Sequence, residues 1–326
     1  MKKLLIIGGF GFIGTYFLEK YSKKYEIKVL DTNFFGYENK DNIEFIKKDI
    51  RYLEKIDLEN VDIVVHMGEL SNDPLGDLNK KITNEINHNG TKKLLKLANN
   101  TKITKFIYMS SASVYGFSNK IMDEESEINP LTEYSKAKVN NENFILNNEF
   151  TFENIILRNS TAFGFSKNLR LDLVVNDLTY LGLFENKINL LSDGTPKRPI
   201  IHIADICKAI DLIINHEESL DKEIFNIGDN SMNFSIREIA EVVANLLKIE
   251  DITFGEKDSD QRSYELSFDK LNKYFQSFEI EFTLEKGVEN LIDNFKTYKF
   301  SGNERRIKVL NNLINDKKLS DELIWR

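Results

Sequence analysis

Tyr134 and Lys138, four residues apart in Tyr134-Ser135-Lys136-Ala137-Lys138, could together carry out a proton transfer. On a helix that spacing puts both side chains on one face. A phenol with an ordinary pKa of about 10 is a poor base at neutral pH. A neighbouring ammonium stabilises the phenolate. The pair is therefore a device for taking a proton from an alcohol while hydride leaves its carbon. Tyrosine and lysine are common on helices, so other residues must support this reading.

Two further stretches supply that support. Met109-Ser110-Ser111-Ala112-Ser113-Val114-Tyr115-Gly116 directly follows an apolar run, and a serine there can hydrogen-bond a substrate oxygen. Gly8-Gly9-Phe10-Gly11-Phe12-Ile13-Gly14 follows Leu4-Leu5-Ile6-Ile7 and opens a segment with helical spacing. Strand, glycine turn and helix together form a phosphate cradle. The turn needs positive φ, the backbone must approach a pyrophosphate, and the helix must pack on the strand. The helix start at Phe12 and Ile13 then offers free N–H groups to the phosphates. Asp31 ends the next strand, Glu26-Ile27-Lys28-Val29-Leu30. An acid there can bond the adenosine ribose hydroxyls and would repel a 2′-phosphate. Thr32, Asn33 and Phe34 bring no cation to greet one, which favours NAD over NADP.

The elements that must position these residues alternate. Strands are predicted at Ile43–Ile46, Val61–His66, Lys105–Met109 and Glu153–Arg158, with helices at Leu78–Asn99 and Thr132–Asn147. The pattern predicts an α/β chain with a right-handed, doubly wound parallel sheet. The loop from Met67 through Leu70-Ser71-Asn72-Asp73-Pro74 lies at a strand's carboxyl end, where ligands gather in such sheets. Beyond Gly164 the pattern loosens. Helices are expected at Leu171–Leu183, at Ser235–Leu247 behind a Ser235/Glu238 capping box, and at Leu284–Phe295. A strand is expected at Ile188–Leu191, and a peripheral helix from about Asn303 that could meet another subunit.

Composition sets outer bounds. With 326 residues, 41% of them hydrophobic, the chain can bury a large core as one big or two modest domains. A net charge of −8, spread along the chain, argues against nucleic-acid or anionic-membrane partners. The single cysteine, Cys207, excludes an internal disulfide and sits on an apolar helical face as a structural thiol. No apolar run approaches the ~20 residues of a membrane span, and the chain reads as a cytoplasmic protein.

Taken together, the ordered motifs resemble those of the extended short-chain dehydrogenase/reductases that act on nucleotide sugars. The resemblance covers the glycine turn, Asp31, Asp49-Ile50, Asn87-x-x-Gly90-Thr91, the serine stretch, Tyr134-x-x-x-Lys138, Leu157-Arg158 and Arg198-Pro199-x-x-His202-x-x-Asp205. It implies a Rossmann NAD-binding domain over 1–165. A smaller mixed α/β C-terminal substrate domain would occupy 166–326, with some chain crossing back to the sheet. It implies NAD as cofactor, held by Gly8, Gly11, Phe12, Ile13, Gly14 and Asp31, with adenine near Asp49 and Ile50. Tyr134 would be the base, Lys138 would hold the nicotinamide ribose and tune Tyr134, and Ser111 would hold the reacting hydroxyl. Arg198 and Arg262 match positions that meet diphosphate or nucleotide. Arg170 would open a helix near the same site, and Ser71 and Ser113 complete the expected substrate contacts. No metal is implied. A homodimer or higher homo-oligomer is expected, paired through the helices Leu78–Asn99 and Thr132–Asn147.

Departures from the family pattern narrow the reaction. In 4,6-dehydratases an Asp-Glu pair follows the active-site Ser/Thr; here Ala112 and Ser113 occupy those positions, and neither is a general acid. Ile7 replaces a Thr, Pro199 an Asp beside Arg198, and Thr161 stands where many epimerases have Asn. Met67-Gly68-Glu69 replaces a small apolar pair and brings a carboxylate to the nicotinamide side. What remains is NAD-dependent oxidation of a sugar carbon, C4 first. The enzyme would be either a dehydrogenase that releases the keto sugar or a 4-epimerase that returns the hydride. Arg170–Asn176 and the Leu70–Pro74 loop look similar to GDP-heptose 4-dehydrogenases of capsule polysaccharide synthesis. A non-catalytic NAD sensor or scaffold on the same fold is the remaining alternative, and such proteins often lose the Tyr or Lys.

Overall fold

The computed structural model describes residues 1–39, 43–71, 79–190, 192–256 and 262–326. Asn72-Asp73-Pro74, Leu78, Leu191 and Asp260-Gln261 lie outside the described residues. The first strands are β1 (Lys3–Ile7), β2 (Glu26–Asp31), β3 (Glu44–Lys47), β4 (Ile63–His66) and β5 (Lys105–Ser111). They continue with β6 (Phe117–Met122), β7 (Glu153–Asn159), β8 (Thr161–Phe163), β9 (Ile188–Asn189), β10 (Lys197–His202) and β11 (Glu223–Ile227). Seven of them form one sheet in the order β11-β7-β5-β4-β1-β2-β3, every pair parallel.

The two-residue side-chain period of strands divides this sheet's apolar residues between two cores. Leu4, Ile6, Val65, Ile107 and Leu157 face one, with Phe17 of the helix Phe12–Tyr21 and Ile206, Ile210 and Ile213 of the helix Ile203–Asn215. Leu5, Ile7, Val64, Phe106 and Ile156 face the other, with Leu94, Leu95 and Ile145 from the helices Thr91–Ala98 and Glu133–Leu146. Burial on both faces explains why these strands read as continuous apolar runs. A third core gathers Phe163, Val175, Ile239, Val243, Leu284 and Leu291 beyond the sheet. There a three-stranded sheet, β8 and β10 with a further short strand Asn233–Ser235, packs beside the helices Val174–Glu185, Ile236–Leu247 and Leu284–Thr297. Cys207 is fully buried, and burial pushes its thiol pKa well above the ordinary value.

Several elements differ from expectation. The helix expected at Leu171 begins at Val174, because Arg170 is paired to Asp172 at 2.6 Å and the Leu171 N–H is taken by the Glu304 carbonyl at 2.8 Å. Arg170 therefore precedes a helix instead of opening one. The long helix after β4 is interrupted. Lys80–Thr83 runs into a π-helical turn, Asn84–Gly90, before Thr91–Ala98. β5 extends to Ser111, two residues beyond the expected end. The C-terminal helix, Arg306–Asn315, is not peripheral: Leu310, and Leu319 beyond it, are fully buried in the second core. No helix among the described residues is long and apolar enough to cross a membrane.

Candidate active site

At the carboxyl end of the sheet, the loops after β1 and β4 meet backbone to backbone. Gly8 has φ +77°, and a Cβ there would run into the Gly68 backbone. A Cβ on Gly14 would strike the Gly9 carbonyl, so helix and strand close on each other only through glycine. Gly11 is the helix N-cap and supplies no side-chain acceptor. The first-turn N–H groups of Phe12 and Ile13 are therefore open to an anion in the cavity that Gly11, Phe12, Ile13 and Gly14 line. This end fits a dinucleotide pyrophosphate.

Asp31 terminates β2 beside that turn. Its carboxylate accepts the Phe10 N–H at 3.0 Å and the Asn33 N–H at 2.7 Å. Burial raises its pKa, and those two N–H groups work in the opposite direction. Asp49 caps the short turn Ile50–Tyr52 and grips Arg51 at 2.7 Å, so much of its charge is spent locally. Both Asp49 and Ile50 border the same cavity.

Tyr134 and Lys138 stand on the first two turns of the helix Glu133–Leu146, capped by Thr132. The Lys138 ammonium lies 5.4 Å from the Tyr134 ring centroid and 4.8 Å from that of Tyr108. It donates to the Met109 carbonyl and is paired at 2.9 Å with Glu69, whose side chain is also buried. Burial opposes the ammonium, but Glu69 and then Tyr134 outweigh it, and the Lys138 pKa is raised. Glu69 in turn accepts the Tyr108 hydroxyl at 2.8 Å, and Tyr108 accepts from Asn141 at 2.8 Å. His66, at the end of β4, lies 3.9 Å from Glu69. Burial, with help from Lys138, pushes its pKa down to about 3, so it is a neutral neighbour. Asn87 holds the loop that carries Glu69 by bonding both the N–H and the carbonyl of Leu70.

One turn beyond Lys138, Glu142 anchors the helix to the sheet. It accepts from Arg158 of β7 at 2.8 Å and from the Ser110 hydroxyl at 2.5 Å. Arg158 also donates to the Tyr115 hydroxyl at 2.9 Å. Removing one partner of a buried pair leaves the other charge uncompensated. Glu142→Gln should therefore cost about 3–5 kcal/mol of stability, read as a lower urea midpoint.

The three expected arginines line the same cavity, whose volume is about 930 Å³. Arg198, on β10, donates to the backbone carbonyl of Arg262 and sits 5.6 Å over the Tyr264 ring. Arg170 donates to the Ser71 hydroxyl at 3.1 Å. Ser71, Ser111, Ser113, Tyr134, Lys138, Arg170, Arg198 and Arg262 all line this one cavity with the glycine turn and Asp31. Sequence reasoning missed the partners. Glu142 is four residues from Lys138 and so on its face, a signal that was available. Glu69 as the counter-ion of Lys138, and Arg305 and Arg306 in the cavity wall, left no local signature.

A parallel sheet with an open glycine turn, an acid at the end of β2 lining the same cavity, and a Tyr–Lys helix pair defines an enzyme with a dinucleotide site. Residues 4–228 match the NAD dependent epimerase/dehydratase family, and the chain belongs to it. Its cofactor is NAD. A Methanocaldococcus jannaschii protein named "Putative UDP-glucose 4-epimerase" is 27% identical over 90% of this chain and 98% of its own length. The dTDP-D-glucose 4,6-dehydratase of Homo sapiens is 26% identical over 76% of this chain and 74% of its own. Among solved structures, MoeE5 in complex with UDP-glucuronic acid and NAD has a TM-score of 0.80 at 21% identity, covering 90% of this chain and 99% of its own.

Proposed function

We propose that this enzyme oxidises a ring hydroxyl, at C4, of a nucleoside-diphosphate sugar destined for a surface polysaccharide. A GDP-sugar such as a GDP-heptose is the first candidate. The observation that carries the reading is the shared cavity, which Tyr134, Lys138 and Ser111 line together with Arg170, Arg198 and Arg262. In this reading NAD supplies the hydride acceptor. Ser111 orients the sugar hydroxyl and Tyr134 takes its proton. Lys138, fixed by Glu69 and the Met109 carbonyl, holds positive charge beside the forming phenolate. The arginines meet the diphosphate, where planar donor pairs suit phosphate oxygens. Ala112 is fully buried and Ser113 is a neutral hydroxyl, so neither of these two positions offers an acid to expel water. This favours oxidation over 4,6-dehydration.

A second reading is a nucleotide-sugar 4-epimerase, favoured by the Methanocaldococcus jannaschii relative. Incubation with NAD and a panel of GDP- and UDP-sugars, followed by NADH absorbance and product NMR, separates the two. Net NADH with a keto sugar supports the dehydrogenase, and a stereoisomer without net NADH supports the epimerase. NAD binding with no response to any nucleotide sugar leaves the scaffold reading. The cofactor preference is testable separately. Asp31→Asn should narrow the NAD-over-NADP affinity ratio by on the order of 10- to 100-fold, the worth of a charged hydrogen bond, read by titration calorimetry with each dinucleotide.

A further inference from the structure

Arg306 is buried in the cavity wall, far in sequence from every residue of the cofactor fingerprint. Its guanidinium carbon lies 3.9 Å from the Phe35 ring centroid. Nη2 donates to the Asn168 carbonyl at 2.8 Å, and the Asn168 amide donates to the Phe10 carbonyl in the glycine turn. Nη1 is buried without an acceptor among the described residues. Burial, together with nearby Arg170, pulls the Arg306 pKa down to about 9, while Asp172 and Asp31 oppose this from a distance. A buried cation with an unused donor, on a residue that lines a cavity, is an incomplete anion site.

The chain beyond Arg306 fixes its position. Leu310, Leu319 and Leu323 are buried in the same core as Leu30 and Ile50. The Trp325 indole donates to the Thr32 carbonyl at 2.7 Å and packs against Phe34, with ring centroids 5.7 Å apart. The C-terminal segment is thus docked on the strand ends that hold Asp31 and Asp49.

The geometry points to Arg306 as a cofactor-binding residue that grips the NAD pyrophosphate through Nη1, carried on a C-terminal segment that completes the adenosine half of the site. The inference rests on NAD being the cofactor. A stacked, singly anchored guanidinium is already oriented for a phosphate oxygen, so little freedom is lost on binding.

Calorimetric titration of Arg306→Met and Arg306→Lys with NAD, ADP-ribose, adenosine and UDP tests this. Arg306→Met should weaken NAD and ADP-ribose by about 10- to 100-fold, with adenosine and UDP unchanged and Arg306→Lys in between. Unchanged NAD affinity in Arg306→Met overturns the inference. So does an equal loss for adenosine, which marks a structural role, or a loss confined to UDP, which assigns the arginine to the substrate's diphosphate. A wild-type protein that does not bind NAD would instead remove the cofactor assignment itself.

Discussion

Turnover of Tyr134→Phe should fall by about 100- to 10,000-fold, the usual worth of a positioned acid–base group, while NAD affinity stays nearly unchanged. The missing hydroxyl leaves no group on that helix face to receive the alcohol proton. Hydride loss would then have to form a protonated carbonyl. The helix itself does not depend on that oxygen. Thr132 caps it, and Glu142 ties it to Arg158 through a pair that Tyr134 does not enter. Steady-state kinetics and NAD calorimetry on one preparation check both halves of the expectation. Activity close to wild type would remove Tyr134 from the mechanism.

Glu69→Gln should produce two large changes of different kinds. First, Lys138 becomes a buried ammonium without its carboxylate partner, which should cost about 3–5 kcal/mol of stability. Thermal or urea unfolding in the absence of ligand reads this. Second, the pH–rate profile should shift. With Glu69 present, its carboxylate offsets part of the ammonium's field on a forming Tyr134 phenolate. Removing the carboxylate leaves the ammonium's field on the phenol, which eases its ionisation. Burial simultaneously lowers the Lys138 pKa, since the largest charge opposing it is gone. The acidic limb of kcat/KM should therefore move to lower pH by on the order of one unit. The basic limb should fall at lower pH as Lys138 becomes easier to discharge. A loss of stability with an unmoved profile would make Glu69 a packing residue only.

Local spacing made part of this site legible. The glycine turn, Asp31 and the Tyr134–Lys138 pair each lie within one or two adjacent elements, so their geometry follows from helix and strand periods. The same periods revealed the central strands, whose two-faced burial leaves an unbroken apolar run. Of the short strands, β9 lies in the expected run Ile188–Leu191, whereas β6, β8 and β10 carry no comparable apolar run. The start of the helix at Val174 was hidden for another reason. Arg170–Asp172 and the Glu304 carbonyl compete for that backbone, and Glu304 lies more than a hundred residues away. Glu69 stands out in the sequence as a carboxylate where the family has a small apolar pair, but its pairing with Lys138 needs the sheet to bring β4 and the helix Glu133–Leu146 together. Arg306 depends on the C-terminal segment returning to β2, which no spacing in the chain announces.

The position of β11 has a consequence for how the chain reaches this state. β11 pairs with β7 in register from Glu223↔Ile155 to Ile227↔Asn159. It is made only after the roughly 60 residues that follow β7, most of which belong to the third core. Until then β7 is an open edge whose Ile155, Ile156 and Leu157 are fully buried in the finished protein. An apolar, unpaired edge invites pairing with other chains. During synthesis the nascent sheet therefore passes through an interval of vulnerability to aggregation, and the last strand to arrive ends it.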